Sequence, residues 1–115
     1  MSDFKTLQKK IVSFRDARDW KQFHNPKDLS ISLVLEATEV MEHFQWKSVE
    51  EMREHIDKNK EAIGEELADT LYWILLLSND LNVDIMKAFE TKMEQNEKKY
   101  PIAKSKGSHK KYNDF

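Results

Sequence analysis

Apolar residues recur at intervals of three and four along nearly all of this 115-residue chain, and only two glycines and two prolines interrupt them. An α-helix returns a side chain to one face every 3.6 residues, whereas a strand does so every second residue. The spacing therefore predicts helix almost throughout, and no stretch alternates for long enough to predict a strand. Phe4, Leu7, Ile11 and Phe14 make a first stripe that ends near Trp20. The segment KQFHNPKD reads as a loop, because a proline disfavours helical backbone in the residue before it, here Asn25. A second helix is expected from Asp28 to Phe44, with Leu29, Leu33, Ala37, Val40, Met41 and Phe44 inward. Ser48 and Glu51 form a capping-box signature for a shorter polar helix. A third long helix is expected over 62–81, and Asp84 can cap a fourth that ends before Pro101. These elements predict an all-α, four-helix-bundle-like domain over residues 1–103, followed by a flexible basic tail over 104–115, KSKGSHKKYNDF.

The length suits a single domain. With 19 Lys and Arg against 21 Asp and Glu, the formal charge of −2 gives no bias toward nucleic acid or an anionic membrane, so any anion site must be local. The absence of cysteine removes disulfides, thiolate nucleophiles and thiolate zinc sites together, and fits a reducing cytoplasm. MSDFKTLQKK is not followed by the apolar run of an export signal, and ILLL is too short to span a bilayer, so a soluble cytoplasmic protein is expected. LYWILLL is apolar on more sides than one inner helix face requires, which predicts contact with another copy of the chain.

GEELADTLYWILLL places Glu66 and Asp69 inside the most apolar segment, where an unpartnered carboxylate costs several kcal/mol. A second pair, Glu36 and Glu39, sits in the equally apolar SLVLEATEVM. Acidic pairs three apart also occur at Asp16/Asp19, Glu51/Glu54 and Glu94/Glu97, so context rather than spacing singles out the two. On adjacent helices they would present four carboxylates to one point, an all-oxygen set suited to Mg²⁺ or Mn²⁺. Solvation at the bundle edge, or bridging to Lys and Arg, is the open alternative. A di-iron bundle is disfavoured because no Glu has His three residues on.

The strings RDARDWKQFHNPKDLSISLVLEATEVMEHFQWK, EELADTLYWILLL and KMEQNEKKYP closely resemble the MazG-like all-α nucleoside triphosphate pyrophosphohydrolases, and within them the branch that acts on dCTP. The resemblance runs from about Phe14 to Tyr112. It implies cleavage between the α- and β-phosphates of a nucleoside triphosphate, with Glu36, Glu39, Glu66 and Asp69 holding magnesium, manganese being possible. A neighbouring carboxylate would then act as base; which of the four does so stays open, Glu39 being the candidate, with Glu65 assisting from the adjacent turn. Trp20, His24 and Trp46 match base-pocket positions, and Asn96 is an implied hydrogen-bonding partner of the base. Trp73 stands where close relatives carry Tyr, and Tyr72 beside it is expected on a different face. Lys47, Lys92 and Lys99 match phosphate contacts. Leu35 and Thr38 replace a Glu and a Gly that many members carry, which bears on a second metal. A tetramer built as a dimer of dimers and a role in nucleotide pool sanitation, on dCTP or its 5-modified forms, are further implications. His43 and His55 have no implied role and are expected at the surface. Two readings of other classes remain beside this one: a non-catalytic helical interaction module, and a metal-binding bundle indifferent to nucleotides.

Overall fold

A computed structural model describes residues 3–115. Its elements are α1 (Phe4–Ala17), α2 (Pro26–Glu42), α3 (Val49–Asp80), α4 (Ile85–Lys99) and α5 (Ile102–Ser105), with short 3₁₀ turns at Lys21–Phe23 and Tyr112–Asp114. There is no strand among the described residues, as the periodicity predicts. None of the helices described is long and apolar enough to cross a membrane. The chain divides into two compact units, Met1–Asn82 and Val83–Phe115.

Side-chain caps define four helix starts. Asp3 accepts from the Thr6 amide at 2.8 Å, Asn25 from that of Asp28 at 2.9 Å, and Asp84 from that of Lys87 at 3.1 Å. The Ser48–Glu51 capping box is complete, at 3.2 and 3.0 Å. Each cap satisfies amides that lack an intrahelical acceptor. Three expectations need correction. The second helix begins at Pro26 rather than Asp28, because proline suits the first helical position, where its missing N–H is not needed. It also ends at Glu42, before the turn that carries Trp46 at φ +68°. The polar helix and the third helix are one element: no Gly or Pro separates them, and the chain leaves helical geometry only at Asn59 (φ −126°, ψ 22°).

In the first unit, α2 and α1 both pack on α3. Leu29, Leu75 and Leu76 are fully buried. Leu33, Val40 and Phe44 are half-buried as expected, whereas Ala37 and Met41 are exposed. The join between α1 and α3 is polar. Buried Arg15 donates both terminal nitrogens to Asp80, at 2.7 and 2.9 Å, and Gln8 Nε2 donates to the Leu75 carbonyl at 2.9 Å and to Ser78 Oγ at 3.1 Å. In the second unit, Tyr112 and Phe115 pack edge-on against Tyr100 with ring centroids 6.0 and 5.9 Å away. The stretch expected as a tail thus carries α5 in part and one 3₁₀ turn.

Burial works against the charge of Asp80, but hydrogen bonds from Arg15 and Asn79 and the attraction of Arg15 outweigh it and hold its pKa below the usual carboxylate value. A depressed pKa stabilises the fold fully above the unfolded value of about 3.9, and that contribution is lost as pH falls through the folded value. Asp80→Asn should therefore lower unfolding stability at neutral pH by on the order of 3 kcal/mol, leaving Arg15 unpaired. Urea titrations should show the gap from wild type closing in acid. Gly64 lies inside α3 and an added methyl there meets nothing within 4 Å. Gly64→Ala should raise stability by about 0.5–1 kcal/mol, read as a higher urea midpoint.

Candidate active site

The four carboxylates singled out from the sequence come from facing helices, Glu36 and Glu39 from α2, Glu66 and Asp69 from α3. Glu36 and Glu66 are half-buried, while Glu39 and Asp69 are exposed. Burial raises the Glu36 pKa, and Glu39, within hydrogen-bonding reach, and the charges of Asp69 and Glu66 raise it further. One Glu36 oxygen, Oε2, is buried without a partner. Among the described residues none of the four is paired with Lys or Arg, so bridging to basic side chains does not account for them. The four are neighbours but not a closed cage: among the described residues no three Asp, Glu or His side chains converge tightly enough to grip an ion as they stand. Their chemistry still fits a hard divalent cation, because the donors are all carboxylate oxygen and a buried oxygen lacks any other partner.

The two departures in the first motif stand off this cluster. Thr38 Oγ1 donates to the Val34 carbonyl at 2.7 Å and so is used by its own helix. Leu35 is 60% exposed and borders a shallow apolar groove with Ile31 and Val34.

Glu36 and Asp69 form the acidic side of a cleft of about 530 Å³ whose remaining lining is Lys10, Ile11, Phe14, Trp20, Tyr72 and Trp73. The rings meet edge to face: Phe14 with Trp20 at 5.8 Å, Phe14 with Tyr72 at 6.5 Å, and Tyr72 with Trp73 at 5.0 Å between centroids. His24 continues the series against Trp73 at 5.8 Å. Burial, with the nearby charge of Arg15, lowers the His24 pKa and favours a neutral ring, and its Nδ1 is buried without a partner. An apolar, flat-walled cleft ending in carboxylates can take a planar ring at one end and a cation-bound anion at the other.

Trp20, Trp73, Glu36 and Asp69 thus share one cleft, with His24, Glu39 and Glu66 beside it. Glu65 is exposed and outside the lining. Trp46 is 91% exposed in left-handed backbone and does not line the cleft, and Lys47 is half-buried. Lys92, Asn96 and Lys99 belong to α4 in the second unit, where Lys99 Nζ lies 4.9 Å from the Tyr112 ring centroid. Tyr72 corrects an expectation: it lines the same cleft as Trp73, since adjacent helix positions are near enough in angle for two large rings to border a wide pocket. Lys10 was not anticipated, although its spacing of four from Phe14 was visible.

His43 and His55 correct another. Both are half-buried, and His43 Nδ1 lies 2.7 Å from His55 Nε2. His43 Nε2 abuts Glu66 Oε2 at 2.5 Å. That contact is short but poorly aligned for a hydrogen bond, and the oxygen has no other polar partner. His55 Nδ1 in turn faces the Asn59 amide nitrogen at 3.2 Å.

The profile of the MazG-like family matches residues 31–115, which carry all four carboxylates. The chain belongs to the MazG-like family. Over 106 residues it is 42% identical to dCTP pyrophosphatase 1 of Rattus norvegicus and 36% identical to that of Homo sapiens, covering 90% of this chain and 62% of each relative. It therefore spans less than two thirds of the length of these curated relatives. The crystal structure of a pyrophosphatase from Archaeoglobus fulgidus superposes with a TM-score of 0.81 at 36% identity, over 88% of this chain and 94% of that one. The all-α reading and the MazG-like resemblance both stand.

The raised pKa of Glu36 fixes the sign of its effect on stability. A carboxyl held above its unfolded value favours the fold below that value, and the contribution is lost as pH rises through the folded pKa. Glu36→Gln should therefore melt higher than wild type at neutral pH in the presence of chelator, and the advantage should disappear near pH ~4. A lower melting temperature for the variant at neutral pH would contradict this account of the cluster.

Proposed function

We propose that this MazG-like chain is a nucleoside triphosphate pyrophosphohydrolase that cleaves dCTP, and its 5-modified forms, to the monophosphate and pyrophosphate. The observation that carries the reading is the joining of a Glu36–Asp69 acidic wall to the aromatic walls of Trp20, Tyr72 and Trp73 in one cleft. The names of the relatives, dCTP pyrophosphatase 1 and a pyrophosphatase, support the reaction class.

Glu36, Glu39, Glu66 and Asp69 would hold magnesium, with manganese as a substitute. Such an ion neutralises triphosphate charge and lowers the pKa of a bound water. Water adds to phosphorus, the bond between the α–β bridging oxygen and that phosphorus breaks, and the water proton passes to a carboxylate. Glu39 is the proposed base: it is exposed beside Glu36 and so open to water, with Glu65, next to Glu66 and one turn before Asp69, as its assistant. The cytosine ring would lie against Trp20 and Trp73, with His24 offering a hydrogen bond. Trp46 is proposed to cover the base from its exposed turn, and Lys47 to meet phosphate oxygens. Trp73 supplies a flat wall without a hydroxyl, so contact with the sugar falls to Tyr72.

A homotetramer arranged as a dimer of dimers is the proposed assembly. Val34, Leu35 and Leu67 are 63, 60 and 54% exposed, more apolar surface than scattered single residues present. A cysteine-free chain suits the cytoplasm, where pool sanitation would operate.

The test is a panel of common deoxy- and ribonucleoside triphosphates plus 5-methyl-dCTP with Mg²⁺, resolved by chromatography into monophosphate with pyrophosphate or diphosphate with phosphate. Preferential conversion of dCTP-type substrates to the monophosphate is expected. Glu39→Gln and Asp69→Asn should each lower kcat by about a hundredfold or more with helicity unchanged. Turnover retained in both would return the carboxylates to a non-catalytic interaction module. A melting temperature raised by Mg²⁺ but unmoved by dCTP would favour the nucleotide-indifferent metal-binding bundle.

A further inference from the structure

Outside the cleft lining, a continuous polar series in the first unit runs through Asn59, His55, His43 and Glu66. Its hydrogen positions follow from one another. Asn59 Nδ2 donates to the His55 carbonyl at 3.0 Å, which fixes the nitrogen end of the amide, since the reverse orientation would set two oxygens together. The same nitrogen lies 3.2 Å from His55 Nδ1 and can only donate, so Nδ1 accepts. A neutral His55 then carries its proton on Nε2, 2.7 Å from His43 Nδ1, which must accept in its turn. That leaves the His43 proton on Nε2, the nitrogen that abuts Glu66 Oε2. Every nitrogen in the series has one role.

The series also closes on itself. It starts at the single break in α3, crosses to His43 at the C-terminal cap of α2, and returns to α3 at Glu66, seven residues beyond Asn59. A glutamate alone is free about three side-chain bonds. One whose buried oxygen abuts a ring, itself held by a second ring and an amide, has its rotations limited by that contact even without a well-aligned hydrogen bond. The break at Asn59 is where the polar half of α3, which carries His55, departs from the line of the half that carries Glu66.

We propose that His43 and His55, tied back to Asn59, are positioning residues that fix Glu66 in the orientation in which it binds a divalent cation. The proposal rests on the reading of Glu36, Glu39, Glu66 and Asp69 as a cation site. The histidines are not themselves proposed as ligands, because both nitrogens of each ring already face a partner: Glu66 and His55 for His43, and His43 and Asn59 for His55.

The test uses the full chain and Mn²⁺ alone as the probe, with the free ion read by electron paramagnetic resonance. His43→Ala should weaken Mn²⁺ binding by about 10–100-fold, and His55→Ala should weaken it less, since it acts through His43. His43→Gln, whose amide nitrogen can take the place of Nε2, should recover most of the affinity. Melting curves of each variant separate this from loss of fold. ¹⁵N imidazole shifts of the wild-type protein should show both rings as the Nε2–H tautomer, a readout that needs no variant to fold. Mn²⁺ affinity unchanged in His43→Ala while wild type binds would overturn the positioning role alone, as would an Nδ1–H tautomer at His43. Wild-type protein that binds no Mn²⁺ would overturn the cation site, and the positioning role with it.

Discussion

Like-charge repulsion among four carboxylates is the constraint around which the first unit is arranged. α2 packs on α3, with Leu29 of α2 and Leu75 and Leu76 of α3 fully buried, and Glu36 lies next to Glu39, Asp69 and Glu66, none of which is in a salt bridge with Lys or Arg among the described residues. Left to the carboxylates, the two helices would separate. The apolar contacts hold them, and a second polar fixture, the Arg15–Asp80 pair, docks α1 onto the far end of α3. α1 in turn supplies Lys10, Ile11 and Phe14 to the cleft. The hydrophobic, ionic and acidic elements therefore depend on each other: packing holds together groups that repel, and a bound cation of the kind proposed would relieve that repulsion.

Much of this was legible in the chain. Helix content followed from the three-four spacing and the scarcity of breakers, and the capping box at Ser48 and the cap at Asp84 followed from local chemistry that needs no tertiary partner. The two carboxylate pairs stood out because their neighbours are apolar, and the structure does set them side by side. Local rules failed where the deciding contact is distant in sequence. Nothing near Asn59 announces a break, since the residues around it are ordinary helix formers, and the continuity of α3 follows from the absence of Gly and Pro between 49 and 63.

The histidines show the same limit more sharply. His43 and His55 are twelve residues apart and lie in polar surroundings, which by any local reading means the surface. They meet only because the turn after α2 reverses the chain onto the first half of α3. A lone polar residue in sequence can become a buried partner once two helices cross, and no periodicity encodes the crossing. Tyr72 was misplaced for a related reason: face assignments from a helical wheel assume a narrow pocket, whereas the cleft spans enough of the α3 surface to be bordered by consecutive rings.

The balance between core and surface sets how firmly this arrangement is held. Three fully buried aliphatic side chains are few for a unit of this length, and burial of apolar area is the main term opposing conformational entropy. Buried Arg15 adds little net stability, because desolvating a charge cancels much of what its partner returns. Meanwhile Val34, Leu35 and Leu67 remain exposed on the same two helices that carry the carboxylates. Covering them would add stabilisation directly to the α2–α3 pair, at the place where repulsion among the carboxylates works against it. Assembly and cation binding would then act on one and the same interface between two helices, the first by burying its outer face and the second by neutralising its inner one.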